Sequence, residues 1–278
     1  MRSNNYFRER HAVAGVIEAL LLVALVAIIL STIQLIYIPQ VMEQNESDHM
    51  NEVSNQFSFL KSMLDLQGMT QEDVPIISPI TLGSNALPYF VTLGATGEVE
   101  IIEDENYEIN IDFDALIIPL TSIKYTAFNA YYLDGADLIY ALEGGAIILN
   151  QTIGEVVIVE PAIKVDNFTN TVNIYYDIPI ITGITGKKNS PRGFDIVYVR
   201  TNYSSSDANY NSMSDVSSIK ISTAYSDAWN KLLQDLLEEN VNYIQGADFI
   251  EITKKVKQIN FYYKRFYNYA QISPGWIR

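Results

Sequence analysis

The stretch RERHAVAGVIEALLLVALVAIILSTIQ, residues 8–34, decides how this chain is read. A basic patch leads into nineteen residues, Ala12–Leu30, among which Glu18 is the one polar side chain. With Ile33, Leu35, Ile36 and Ile38 the apolar segment reaches about 27 residues. As a helix rising about 1.5 Å per residue it measures roughly 40 Å, more than the ~30 Å hydrocarbon core of a bilayer. A secretory h-region is shorter, about 7–15 residues, and ends in a small-x-small cleavage site. The sequence after Leu30, STIQLIYIP, offers none. The segment therefore reads as a spanning helix that stays on the chain.

Charge sets an orientation. Arg2, Arg8 and Arg10 precede the span with Glu9 as their counterweight, whereas residues 39–253 carry 31 acids against 9 bases. The positive-inside rule then leaves the N-terminus in the cytoplasm and residues 40–278 outside, at the cell surface. A body this acidic repels a phosphate backbone and argues against nucleic acid as a partner. The last 25 residues hold six bases and no acid, a segment suited to an acidic face on its own chain or on a neighbour's. Cysteine is absent, so an exported body must hold together without disulfides.

Glu18 needs an account of its own. A charged side chain at mid-bilayer costs about 2.5–3.5 kcal/mol and less near an end, and Glu18 lies about two turns inside the basic boundary. The segment RERHAVAGVIEALLLVALVAIIL resembles the N-terminus of archaeal type IV pilins: a short basic leader, a small-residue cluster, then an apolar helix. The resemblance covers about 25 residues. It implies that a prepilin peptidase cuts on the cytoplasmic side within Arg10, His11, Ala12, Val13 and Ala14. It implies too that the helix leaves membrane lipid to pack with like subunits as a filament core. A cut just before Ala14 places Glu18 where bacterial relatives carry a glutamate that neutralises a neighbour's terminal amine. A cut after His11 places it two residues deeper, and His11 stands where the family usually has Gly or Ala.

Pro39 predicts a kink or break at the membrane exit. Beyond it Val53, Phe57, Leu60 and Leu64 recur at helical spacing, with Gly68 as the expected C-cap of an amphipathic stem over residues 39–68. From residue 75 the pattern turns to period two. Strands are expected at Tyr89–Leu93, Val99–Glu103, Tyr107–Phe113, Ile123–Phe128, Asp137–Leu142, Ala146–Leu149, Glu155–Glu160, Val172–Tyr176, Phe194–Thr201 and Val216–Ser222. Two more are expected at Phe249–Thr253 and Gln258–Tyr263, with Gly144-Gly145 as a hairpin turn and 202–215 as a mobile polar loop. SDAWNKLLQDLLEENV, residues 226–241, predicts a short helix with Ser226 or Asp227 as N-cap. The fold class expected is α+β: a long N-terminal helix, then a mainly antiparallel, β-sandwich-like domain over 75–278. Loosely, the order of these elements also resembles secreted archaeal proteins that share the pilin-like leader.

Chemistry is sparse. The two histidines, His11 and His49, precede the β-domain, so Ser-His-acid, Cys-His and His- or Cys-ligated zinc systems cannot be built there. No cofactor and no metal is expected, and an enzyme is not. The acid-rich EDENYEINIDFD, residues 103–114, alternates as a strand with one wet face and lacks the spacing of a calcium loop. Sequons at Asn45, Asn150, Asn167 and Asn202 are glycosylation candidates on the stem, turns and loops of an outward-facing chain. The reading is a pilin-like surface subunit, with a non-polymerising single-pass surface binding or adhesion protein as the alternative.

Overall fold

The computed structural model describes residues 4–84, 94–135, 137–184 and 190–273, and for 4–14 and 134–135 the backbone only. The expected strand Tyr89–Leu93 lies outside the described residues. The chain begins as one long helical rod. α1 (Asn4–Thr32) passes through a π-helical turn at Ile33–Tyr37 into α2 (Ile38–Thr70). The break expected at Pro39 does not occur. Proline removes one backbone donor and its ring crowds the carbonyl four residues back; the π turn, in which the Ile38 N–H reaches Ile33 O, absorbs the misfit just before it. Gly68 is likewise not a cap. The helix runs on to Thr70, and Gln71 ends it in the left-handed conformation at φ 55°. Gly68 is small because α2 meets the β-domain there: a Cβ would lie 3.0 Å from the Phe266 ring.

The strands in chain order are β1 (Ile76–Thr81), β2 (Thr96–Ile102), β3 (Glu108–Ile111), β4 (Leu116–Pro119), β5 (Ser122–Phe128), β6 (Leu138–Glu143), β7 (Ala146–Gln151) and β8 (Gly154–Val159). Then come β9 (Ile163–Asn167), β10 (Thr171–Gly183), β11 (Arg192–Gly193), β12 (Ile196–Ser206), β13 (Asn211–Met213) and β14 (Ser218–Ser222). The helix α3 (Ser226–Leu237) precedes β15 (Val241–Gln245), β16 (Phe249–Lys254) and β17 (Gln258–Ile272). They form three sheets: β1-β12-β17-β10-β9 with β13 beside β17, β11-β2-β5-β6-β7-β8, and β15-β16-β14-β3-β4. The fold is α+β with mostly antiparallel pairing, as the sequence pattern predicts. The exception is the centre of the first sheet, where β10 and β17 run parallel over their length.

Two apolar cores fill the space. One holds Val53, Phe57, Leu60 and Leu64 of α2 between the first two sheets, against Val199, Tyr125 and Ile147. The other packs α3 through Trp229, Leu232 and Leu233 among strands of all three sheets. The long strands β10 and β17 contribute to both. They join the cores into one body.

Several local expectations need correction. The strand expected over Tyr107–Phe113 stops at Ile111, because Asp112, Phe113 and Asp114 all take positive φ and turn the chain into β4. The polar stretch 202–215 is not a loop: Asn202–Ser206 completes β12, and β13 pairs Asn211–Met213 with Tyr263–Phe261 of β17. Helix α3 has no side-chain cap of its own. Its free Asp227 N–H instead reaches Glu155 of β8 at 3.2 Å, a carboxylate at the positive end of the helix dipole. Within the basic C-terminal segment, residues 258–272 form the central strand β17, whose Arg265 Nε donates to Asp207 at 2.9 Å.

Candidate functional site

The feature that stands out is the uncovered half of the rod. From Gly15 to Tyr37 the side chains are exposed with the one exception of half-buried Ile33. Leu21 is 66% and Leu35 76% exposed. The apolar residues face every direction, so no single stripe is left for water. Fully burying one Leu, Ile or Val side chain is worth about 1.5–3 kcal/mol, so this surface carries tens of kcal/mol toward a non-aqueous medium. The helix is long and apolar enough to cross a membrane. Glu18 lies on the exposed surface of this rod. Arg10, His11, Ala12, Val13 and Ala14 continue α1 as helical backbone, and their side chains lie outside the described residues.

Cover begins abruptly at the junction. Ile38 and Met42 are buried, and the stripe continues through Glu46, His49, Val53, Phe57, Leu60, Leu64 and Gln67. Steps of three and four keep these on one helix face. Three stripe members are polar, and each makes hydrogen bonds beyond the helix. The Glu46 carboxylate, fully buried, accepts from the backbone N–H of Ala130 (3.1 Å), Tyr131 (2.8 Å) and Tyr132 (2.7 Å). Successive N–H groups of this kind form an anion-binding concavity. Tyr125 O–H donates to Leu82 O at 2.9 Å, so the 2.9 Å contact to His49 is filled by the Nε2–H of His49. Burial lowers the His49 pKa, so the ring stays neutral. Gln67 Nε2 donates to Val74 O and Thr201 O. These bonds fix both the rotation and the axial position of α2, and through it the direction of the rod.

A second buried acid sits in the other core. Glu143 closes β6 just before the Gly144-Gly145 turn, where the expected hairpin indeed joins β6 to β7. Thr223 Oγ1 (2.6 Å) and Trp229 Nε1 (2.9 Å) donate to its Oε1. Complete burial pushes its pKa up to about 7, against the pull of those two bonds. At 1% exposure it meets no solvent-borne substrate; it ties α3 to the hairpin.

The remaining sequence candidates are scattered. Asn45 is half-buried on α2, Asn150 lies within β7, Asn167 is exposed at the end of β9, and Asn202 sits inside β12 with its Oδ1 buried. Asn150 and Asn202 are thus strand residues, not loop residues, because their neighbours complete the alternation of β7 and β12. Among the described residues no group of three or more His, Cys, Asp or Glu is placed to hold a metal ion. Sequence reasoning missed Glu46, His49 and Glu143. The signal was present: a polar residue at a stripe position of the stem, and an acid in the otherwise apolar YALEGGAIIL.

Compared with known proteins, the chain matches no family model, no curated protein and no solved structure.

Proposed function

We propose that this chain is a membrane-anchored surface protein organised like a type IV pilin, its N-terminal half-helix held first by lipid and then by like helices. One observation carries the reading: a single continuous helix whose first part is apolar on all sides and uncovered, and whose second part is sheathed by a β-domain. That division suits a subunit that must keep its helix and display its body. In this reading the N-terminus is cytoplasmic and the β-domain outside. A prepilin peptidase removes the basic leader between Arg10 and Ala14, and the carboxylate of Glu18 receives the terminal amine of a neighbouring subunit. Burying the same apolar surface against helices in place of lipid changes its solvent but leaves no charge unpaired. The β-domain is assigned no catalytic role.

Intact-mass measurement of the protein purified from native membranes tests processing. The expected mass lacks residues 1–11 or 1–13; retention of Met1 contradicts leader removal. Cross-linking through cysteines introduced on the rod then separates the two surface readings. Ladders of several subunits support a filament, and a monomer pattern supports a lone anchored binding protein, which the same fixed rod would also serve.

A further inference from the structure

The end of the body farthest from the rod carries a face that anchoring does not use. β17 meets the last turn of α2 where Phe266 packs on Gly68. Its later residues pair with Thr201 and Val199, which return beside the stem, while residues 258–265 carry the sheet on past it. Two turns meet at that end: the β3–β4 turn with Phe113 at its apex, and the β16–β17 turn with Val256. Phe113 is 78% and Val256 86% exposed. Ser217 lies between them, its N–H donating to Asp112 and its carbonyl accepting from the Lys254 N–H. β3 and β16 flank β14 in the third sheet, so the two apices stand two strand spacings apart, about 10 Å.

Single exposed apolar side chains are ordinary on a protein surface. Phe113 differs in its backbone. Asp112, Phe113 and Asp114 take φ of 49°, 52° and 73°, a conformation that Asp tolerates but that strains an aromatic residue. The turn is held in it from both sides. Asp112 Oδ1 accepts from the Ser217 N–H at 2.5 Å, and the Asp114 N–H donates to Asn110 Oδ1 at 2.9 Å. These bonds keep the ring out in water, where it is preorganised as an anchor.

Charge divides the face. Asp112 and Asp114 flank Phe113, and their carboxylates bond backbone N–H groups and the Asn110 amide, not cations. Lys255 and Lys257 flank Val256 and bond the Glu239 carbonyl and the Asn167 amide, not carboxylates.

We propose that this face pairs end-on with a second copy of the chain, about a two-fold axis near Ser217. The rotation sets each acidic Phe113 turn over the other copy's basic Val256 turn, the self-complementarity that an isologous contact requires. Lipid fits worse, because Asp112 and Asp114 would have to enter it with the ring. A partner of one charge sign would meet like charge on half the face. Two turn apices cover less than the ~800 Å² per partner of a stable complex. One pair is therefore weak, and arrays of copies on facing surfaces hold by avidity. The contact needs neither lipid nor leader removal, so it holds or fails apart from the function proposed above.

Without native cysteine, an introduced disulfide reports the contact. Full-length Ser217→Cys, exposed beside the axis, is oxidised with copper phenanthroline in detergent, with micelles in excess over protein. Dimer should form on the order of tenfold faster than for Ile153→Cys, at the exposed β7–β8 turn. Phe113→Ser, and separately Lys255→Glu with Lys257→Glu, should remove that excess, and about 1 M NaCl should reduce it. Circular dichroism shows whether each variant keeps the fold, and the lysine pair decides should Phe113→Ser unfold. Equal rates for the two cysteines, or an excess that either folded variant retains, overturn the proposal. So does quenching of a bimane on Val256→Cys by added vesicles of brominated phosphatidylcholine, which assigns the face to lipid.

Discussion

Glu46 Oε2 lies 2.7 Å from the backbone nitrogen of Tyr132, on the far side of the boundary between the stem helix and the β-domain. The same carboxylate takes the N–H groups of Ala130 and Tyr131. Glu46→Ala strands these donors in a dry site, where each unsatisfied group costs about 1–3 kcal/mol. Allowing for water that enters the space, we expect a loss of about 3 kcal/mol, read from chemical denaturation of the variant beside wild type. A change below about 1 kcal/mol would mean that the apolar stripe alone fixes the stem.

Tyr125 links the stem to the second sheet by a different route. Tyr125→Phe keeps the ring contact with Phe57 at 6.4 Å but removes the oxygen that joins His49 to Leu82. The expected cost is about 1–2 kcal/mol, and the His49 ring should lose its single orientation in a nitrogen-15 correlation spectrum.

Glu143 predicts a pH dependence with a definite sign. Its folded pKa, about 7, stands above the ordinary 4.5 of a glutamate, so the folded state holds its proton more tightly than the unfolded one. Its contribution is complete below about pH 4.5 and declines as pH rises through 7. The groups facing it do not reverse this: Tyr107, Tyr176 and Tyr225 have raised pKa values and stay neutral, and Glu155 is an acid. His49 acts the opposite way, its lowered pKa adding stability above its ordinary 6.5 that is lost on acidification. Comparison of wild type with Glu143→Gln cancels His49. The melting temperature of wild type should fall relative to the variant between pH 5 and pH 8, by several degrees. Parallel curves would show that Glu143 does not titrate there.

Gly144 takes φ +55°, and a Cβ there would meet the Tyr176 hydroxyl at 2.4 Å. That hydroxyl donates to Gly144 O at 2.6 Å. Gly144→Ala is therefore expected to combine left-handed strain with a displaced buried tyrosine, costing about 3 kcal/mol, as measured by thermal melting.

The parts of the fold that follow a simple period were legible. Apolar continuity marked the rod, steps of three and four marked the stem, and alternation placed β5, β6, β7 and β16 within two residues at either end. What stayed hidden depends on tertiary partners. The π turn before Pro39, the run of Gln71 past Gly68 and the turn at Asp112–Asp114 are set by what each segment packs against, and the parallel pairing of β10 with β17 is a long-range choice that no window reveals. Glu46, His49 and Glu143 are polar residues at core positions, so a pattern of apolar residues passes over them.

The central claim is that the helix sits in lipid up to Tyr37 and emerges where the β-domain begins to cover it. The chain has no cysteine, so single substitutions report cleanly. Leu25→Cys and Gln44→Cys, both at exposed positions of the helix, should be treated with a membrane-impermeant maleimide in sealed native vesicles. Labelling of Gln44→Cys with Leu25→Cys untouched until detergent is added is the predicted result; equal labelling of the two before detergent would contradict it.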